Sequence, residues 1–194
     1  MFPTITDKVH WITADLELFP NDGKRYEIIN GELFVTIAPD WKHQEVCVKI
    51  ATELEIWSTQ TNSGRTAFAP GIIFTDADNV IPDVVWVSKE RLAEILDEAG
   101  HLTGAPELII EVLSPGEKQE RRDRELKLKL YSSQGVREYW IFDRQQIKIE
   151  IYRRENGILR LAVTLYQEDN LTSPLLPGFS CPVGRLFSSV IQVS

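Results

Sequence analysis

The six residues Leu108-Ile109-Ile110-Glu111-Val112-Leu113 constrain the fold more than any other stretch of this sequence. Glu107 to Leu113 reads as a strand, and hydrophobicity on successive rather than alternate residues marks a central strand covered on both faces. The exception is Glu111. A carboxylate inside such a strand has to be paired, hydrogen-bonded, protonated or metal-bound, because burying it alone costs several kcal/mol.

Periodicity and turn chemistry supply the elements around that strand. A small helix is expected at Thr13 to Phe19. Tyr26 to Ile29 and Glu32 to Thr36 flank Asn30-Gly31, the strongest short hairpin signal, which predicts a β-hairpin over 25–36. In Trp41 to Ser58, residues His43, Val46, Cys47, Ile50, Leu54 and Trp57 recur at helical spacing behind Asp40, a good N-cap residue. Ala67 to Phe74 and Val84 to Val87 read as short strands separated by turn-forming residues Asp76 to Asn79, and Arg91 to Glu98 as a brief helix. A second strong helix runs from about Glu120 to Ser133 and stops at Gly135. Glu138 to Phe142, Gln146 to Tyr152 and Ile158 to Tyr166 are strands, the last two joined through Asn156-Gly157; a Pro-rich loop and a closing helix at Leu186 to Val193 follow. The order predicts an α/β fold: a central mixed β-sheet flanked by helices, with an N-terminal β-hairpin and extra C-terminal antiparallel strands.

A length of 194 residues suits one domain, and no repeat or linker divides it, so 1–194 is read as a single unit. No apolar run approaches membrane-spanning length, and Met1 to Asp7 lacks the basic and apolar regions of a signal peptide. A cytoplasmic protein without membrane contact is expected. Cys47 and Cys181 have no metal-type spacing and read as two reduced thiols. The formal net charge is -8, yet Pro115 to Arg154 carries 11 basic and 7 acidic residues. That local surplus suits either a focused anionic partner or a salt-bridged helix face.

Two acids sit where acid is costly: Glu111, and Asp83 at the head of Val84-Val85-Trp86-Val87. On neighbouring strands they would repel one another unless a divalent cation lay between them, and their hard oxygens suit Mg2+ or Mn2+. Alternatively each is salt-bridged to an Arg or Lys. On the second helix Asp123, Leu126, Lys127, Leu130, Tyr131 and Gln134 share one stripe, placing Lys127 on the packed face and Lys129 outward. An inward ammonium needs an anion, unless its head reaches solvent along a buried stem. His43 lies on the apolar stripe of the first helix, where it is either a satisfied core residue or a hydrogen-bond donor or weak base to the site. Glu45, off that stripe, is expected to face solvent, and Ser114 either donates to a phosphate or simply starts a turn. No G-x-G-x-x-G, Walker A or nucleophile-elbow sequence occurs.

Tyr26 to Leu33, His43, Pro82-Asp83-Val84, Gly104 to Pro115, Asp123, Lys127-Leu128, Tyr131, Gly135-Val136 and Glu138-Tyr139-Trp140 together resemble the Uma family of endonucleases, formerly a domain of unknown function. That family is placed in the restriction-endonuclease-like, PD-(D/E)xK superfamily, and the resemblance runs from about Tyr26 to Phe142. It implies a nuclease core over about 41–143, with a strand extension over 146–194, and Asp83 and Glu111 at the superfamily's two acidic positions. The usual lysine two residues beyond the glutamate is absent, since Leu113 stands there. The resemblance implies that Lys127 on the following helix replaces it.

These readings converge on metal-dependent hydrolysis of phosphodiester bonds in DNA. Asp83 and Glu111 are the expected metal ligands, and Lys127 and His43 the expected assisting residues. The alternative is a catalytically silent binding or assembly module whose Asp/Glu/Lys cluster is a structural ion-pair network, a reading the net charge of -8 favours. A phosphohydrolase of nucleotides is disfavoured by the lack of a phosphate-cradling loop. Related nucleases often pair so that two sites address two strands, and with apolar residues on the C-terminal strands available for an isologous interface, the resemblance implies a homodimer.

Overall fold

The computed structural model describes residues 9–187. Its centre is a six-stranded sheet built from β3 (Gly64–Phe68), β6 (Val84–Ser88), β7 (Leu108–Val112), β8 (Glu138–Asp143), β9 (Lys148–Glu155) and β10 (Ile158–Tyr166). The spatial order is β10-β9-β8-β7-β6-β3. Only β7 and β8 pair in parallel, because a helical crossover joins them; the other neighbours are antiparallel. β7 is internal and buried at every residue, as its continuous hydrophobicity requires.

The period of two along each strand divides the core. Leu108, Ile110 and Val112 of β7, with Trp86, Trp140 and Phe142, pack against helix α1 (Trp41–Thr61) through Val46, Ile50, Leu54 and Trp57. On the other face Ile109, Val85, Tyr139 and Ile141 meet Leu130 and Tyr131 of helix α4 (Leu128–Gln134). Asp40 caps α1 by accepting from the amide of His43 at 2.9 Å, as its position predicts.

A second sheet, of order β2-β1-β5-β4, covers part of that second face. β1 (Arg25–Ile29) and β2 (Glu32–Thr36) form the predicted hairpin, with Asn30 and Gly31 at φ 51° and 73°, the positive pair a type I′ turn needs. β4 (Ile72–Thr75) and β5 (Asp78–Val80) correct the reading of 67–74 as one strand and 76–79 as a turn. The chain breaks at Ala69, whose φ of 48° no strand accommodates, immediately before Pro70. β5 then pairs with β1 through Ile28 and Asn79, tying the hairpin to the body.

The second helix is longer than expected and not uniform. It runs through α3 (Glu117–Arg121), a π-helical segment (Arg122–Lys127) and α4, ending at Gly135 with φ 96°. The Pro-rich loop is instead a hairpin of β11 (Asn170–Ser173) and β12 (Leu176–Pro182), whose prolines are tolerated in a two-stranded sheet. The closing helix starts earlier than predicted, as α5 (Val183–Phe187); the rest of the expected stretch to Val193 lies outside the described residues. β9 begins at Lys148, with Ile147 in a left-handed conformation before it rather than in the strand. Among the described residues no helix is long and apolar enough to cross a membrane. Both cysteines are free and buried.

Candidate active site

Strand pairing brings the two costly acids to one place. The antiparallel register of β6 on β7, with Val84 opposite Ile110, sets Asp83 across from Glu111 when carried one residue further. Both line a cavity of about 500 Å3 whose wall also includes Arg25, Glu27, His43, Ser114, Arg122 and Lys127. The four sequence-predicted residues Asp83, Glu111, Lys127 and His43 therefore share one recess. Ser114 borders it as well, whereas Lys129 is exposed as expected. Glu45 is half-buried beside Lys49, 3.1 Å away, rather than free in solvent.

Lys127 is the hub of the cluster. Its Nζ donates to Glu111 Oε1 and lies 2.9 Å from both that atom and Glu27 Oε1, with Asp123 Oδ1 at 3.9 Å. Tyr131 donates its hydroxyl to the same Glu111 oxygen at 3.0 Å. Arg122 donates to Asp123 at 3.0 Å and faces Glu27 at 3.7 Å. Glu27, Asp83, Glu111, Asp123 and Lys127 are all at most 3% exposed. An ion cluster this dry is held by mutual compensation, and removing any one charge leaves the others uncovered.

Asp83 is fixed from three sides. Oδ1 accepts from Arg25 at 3.0 Å, Oδ2 accepts from the Val112 amide at 2.9 Å, and His43 Nε2 lies 3.2 Å from Oδ2. The other ring nitrogen of His43 stands 3.5 Å from Cys47 Sγ, one helical turn on. His43 is thus a buried bridge between Cys47 and Asp83.

The electrostatics separate the two acids. Burial opposes ionisation of Asp83, but the hydrogen bond and charge of His43, the Val112 amide and Lys127 outweigh it and lower its pKa to about 2. For Glu111 burial wins over the pull of Lys127, and with Asp83, Asp123 and Glu27 adding repulsion its pKa rises to about 8. Burial likewise raises Asp123 despite Lys127 and Arg122. Glu27 moves the other way, because Lys127 and Arg122 overcome its burial. Lys127 is itself raised: burial disfavours its charge, and Glu111 and Glu27 more than reverse that. Pairing with Lys127 does not rescue Glu111, since it faces one ammonium and three carboxylates.

Two of these carboxylates were not among the sequence-predicted site residues. Glu27 sits on a hairpin strand, where an acid reads as solvent-facing; its burial comes from the β1–β5 pairing that swings the small sheet over the recess. Asp123 falls on the inward stripe, which by itself assigns it no role; the structure shows it bonded to Arg122 and near Lys127. The stripe itself needs one correction: Leu126 is 38% exposed. The π-helical segment widens the turn, so Asp123 and Lys127 stay inward while Leu126 rotates out. The cations of 115–154 divide too. Arg124 binds Asp143 and Glu150, Arg144 grips Asp40 through two 2.9 Å bonds, and Arg153 holds Glu138, so much of the local surplus holds the fold together.

Asp83, Glu111 and Glu27 all border the cavity, and their excess negative charge, felt in the raised Glu111 pKa, is what a divalent cation would neutralise. Among the described residues, the three candidate ligand atoms that already lie within 4.8 Å of one another are those of His43, Cys47 and Asp83. Burial pushes the Cys47 thiol up, keeping it protonated beside His43.

The chain is thus a mixed α/β protein with helices on both faces of its central sheet and a carboxylate–lysine recess at the end of the central strands. The crystal structure of a "putative nuclease belonging to DUF820" from Anabaena variabilis has the same fold, with a TM-score of 0.73 at 17% identity over 91% of this chain and 97% of that one. The chain belongs to the Uma2 family, described as "Putative restriction endonuclease", whose model matches residues 13–184. No curated protein matches it.

Proposed function

We propose that this protein is a divalent-metal-dependent endonuclease that hydrolyses phosphodiester bonds in DNA, with a catalytic site of the PD-(D/E)xK kind. The observation that carries this reading is the convergence of Asp83, Glu111 and Glu27 with Lys127 in one recess. Asp83 and Glu111 are the ligands for Mg2+ or Mn2+, with Glu27 beside them. A bound ion supplies Lewis acidity to the phosphate and a more acidic water.

The chain's own residues do the rest. Arg25, the Val112 amide and His43 hold the Asp83 carboxylate ionised and oriented. Tyr131 and Lys127 fix Oε1 of Glu111. Lys127 keeps its positive charge through its carboxylate neighbours and is placed to stabilise charge developing on the phosphate oxygens as water adds to phosphorus and the ester bond breaks. Arg25 and Glu27 come from the hairpin at 25–36, so the working unit extends from that hairpin through the core at 41–143.

The closed set of contacts around Lys127 favours a second reading, a catalytically silent module in which the cluster is purely a structural ion-pair network. Nicking of supercoiled plasmid with Mg2+, Mn2+ or EDTA, beside an identically purified Glu111→Ala protein, separates the two. Metal-dependent nicking lost in the variant supports the nuclease. Nicking by neither protein, with no divalent-cation binding by calorimetry, supports the silent module; nicking that survives Glu111→Ala refutes the assigned site.

A further inference from the structure

The carboxylates of the recess are covered by the chain's own cations. Lys127 sits on Glu111 and Glu27, Arg122 on Asp123, and Arg25 on Asp83. These cations are not equally held. The Lys127 side chain is 1% exposed and shared by Glu27, Glu111 and Asp123, so its departure would strand all three. Arg25 comes from the first residue of β1, lines the cavity, and keeps 21% of its side chain exposed. The two oxygens of Asp83 differ in the same way. Oδ2 is held by the Val112 amide and His43, a backbone group and a buried ring, whereas Oδ1 accepts from Arg25 at 3.0 Å. Oδ1 is therefore the side of Asp83 open to exchange, and Arg25 is the partner able to move.

We infer that Arg25 is a placeholder for the divalent cation: it covers Asp83 Oδ1 in the metal-free protein, gives that oxygen up when the metal binds, and turns its guanidinium to the substrate phosphate. Resting on the nuclease reading, this gives Arg25 two anionic partners in turn. The charges of the recess call for the exchange. Glu27, Asp83, Glu111 and Asp123 face Arg25, Arg122 and Lys127, one positive charge short of neutrality when all are ionised, and a divalent cation in place of a guanidinium at Asp83 supplies that charge. A guanidinium proton and a hard cation compete for the same carboxylate lone pairs and repel one another at short range, so each weakens the binding of the other. That coupling is reciprocal. The exchange needs only a side-chain swing, because β1 stays paired with β2 and β5. A released guanidinium beside the cavity finds in the two non-bridging oxygens of a phosphodiester the acceptor that its planar fork matches.

Calorimetric titration of the wild type, Arg25→Met and Arg25→Lys with Mn2+ tests the exchange. Arg25→Met is expected to bind Mn2+ about tenfold more tightly than the wild type, a gain of about 1.4 kcal/mol from removing the competitor, and Arg25→Lys to stay within about threefold of it. A residue that merely orients Asp83 gives the opposite sign, since its loss weakens the site. Anisotropy of a labelled oligonucleotide at saturating Ca2+, in place of Mg2+, tests the second half: Arg25→Met is expected to bind DNA about tenfold less tightly despite its firmer hold on the metal. In the wild type the 15N signal of Arg25 Nε, assigned by its absence from Arg25→Lys, is expected to move on saturation with Mg2+, a readout that does not depend on Arg25→Met folding. Equal or weaker Mn2+ binding by an Arg25→Met protein with an intact thermal melt, or an Arg25 signal that saturating Mg2+ leaves in place, overturns the inference and leaves the metal site standing. Oligonucleotide affinity unchanged in Arg25→Met overturns the transfer to phosphate. Failure of the wild type to bind Mn2+ at all removes the nuclease reading itself.

Discussion

Lys127 Nζ and Glu111 Oε1 stand 2.9 Å apart at the centre of the recess, joined across a gap of 16 residues by the strand-to-helix crossover. The contact couples the second helix to the central strand through charge, and the Tyr131 hydroxyl reinforces it by donating to the same Glu111 oxygen at 3.0 Å.

Replacing Lys127 by Met tests how far the fold depends on it. Glu27, Glu111 and Asp123 would lose the cation they share, and stranding buried carboxylates costs about 3–5 kcal/mol. The midpoint of urea unfolding should fall accordingly, and adding Glu111→Gln to Lys127→Met should recover part of the loss. A midpoint equal to that of the wild type would show that the cluster does not hold the helix to the sheet.

Stability should respond to pH in opposite senses at the two acids. Glu111 has its pKa raised from 4.5 to about 8 in the folded state, so the native protein binds a proton that the unfolded chain has released. Stability from this group is complete below about pH 4.5 and is lost as pH rises towards 8. Asp83 has its pKa lowered from 3.8 to about 2, so its contribution is present above pH 3.8 and is lost as pH falls towards 2. Urea midpoints across the range should therefore decline on the alkaline side in the wild type and stay flatter in Glu111→Gln. Parallel alkaline limbs in the two proteins would mean that Glu111 is ionised throughout.

The phase of the second helix can be read from two leucines. Leu126 is 38% exposed and Leu130 is 6% exposed, although a regular helical wheel puts both on the packed stripe. Leu130→Ala should cost about 2–5 kcal/mol, as buried leucines do, and Leu126→Ala within about 0.5 kcal/mol. Equal losses by chemical denaturation would restore the regular helix and remove the π-helical segment.

Much of this arrangement was legible in the residues themselves. Glu111 and Asp83 announce themselves as acids in apolar strands, and the antiparallel register delivers them to one place. Lys127 is visible because an ammonium on a packed stripe has to meet an anion, and its position survives the local change of helical pitch. Glu27 was hidden because alternation along a hairpin says which residues share a face but not which face is covered. That depends on the pairing of Ile28 with Asn79, about 50 residues away, which no local pattern encodes. The break at Ala69 is a subtler case. Pro70 was the available warning, while the apolar residues on either side argued for one continuous strand.

The turn at Asn30-Gly31 acquires a significance out of proportion to its distance from the chemistry. It sets the register in which β1 lies on β2, and a strand displaced by one residue presents its opposite side. Because β1 is also held by its pairing with β5, an added residue at that tip would displace β2 and turn its opposite side toward the recess that it borders through Val35 and Thr36. A surface loop thus acts as the gauge that aligns one wall of the charged pocket.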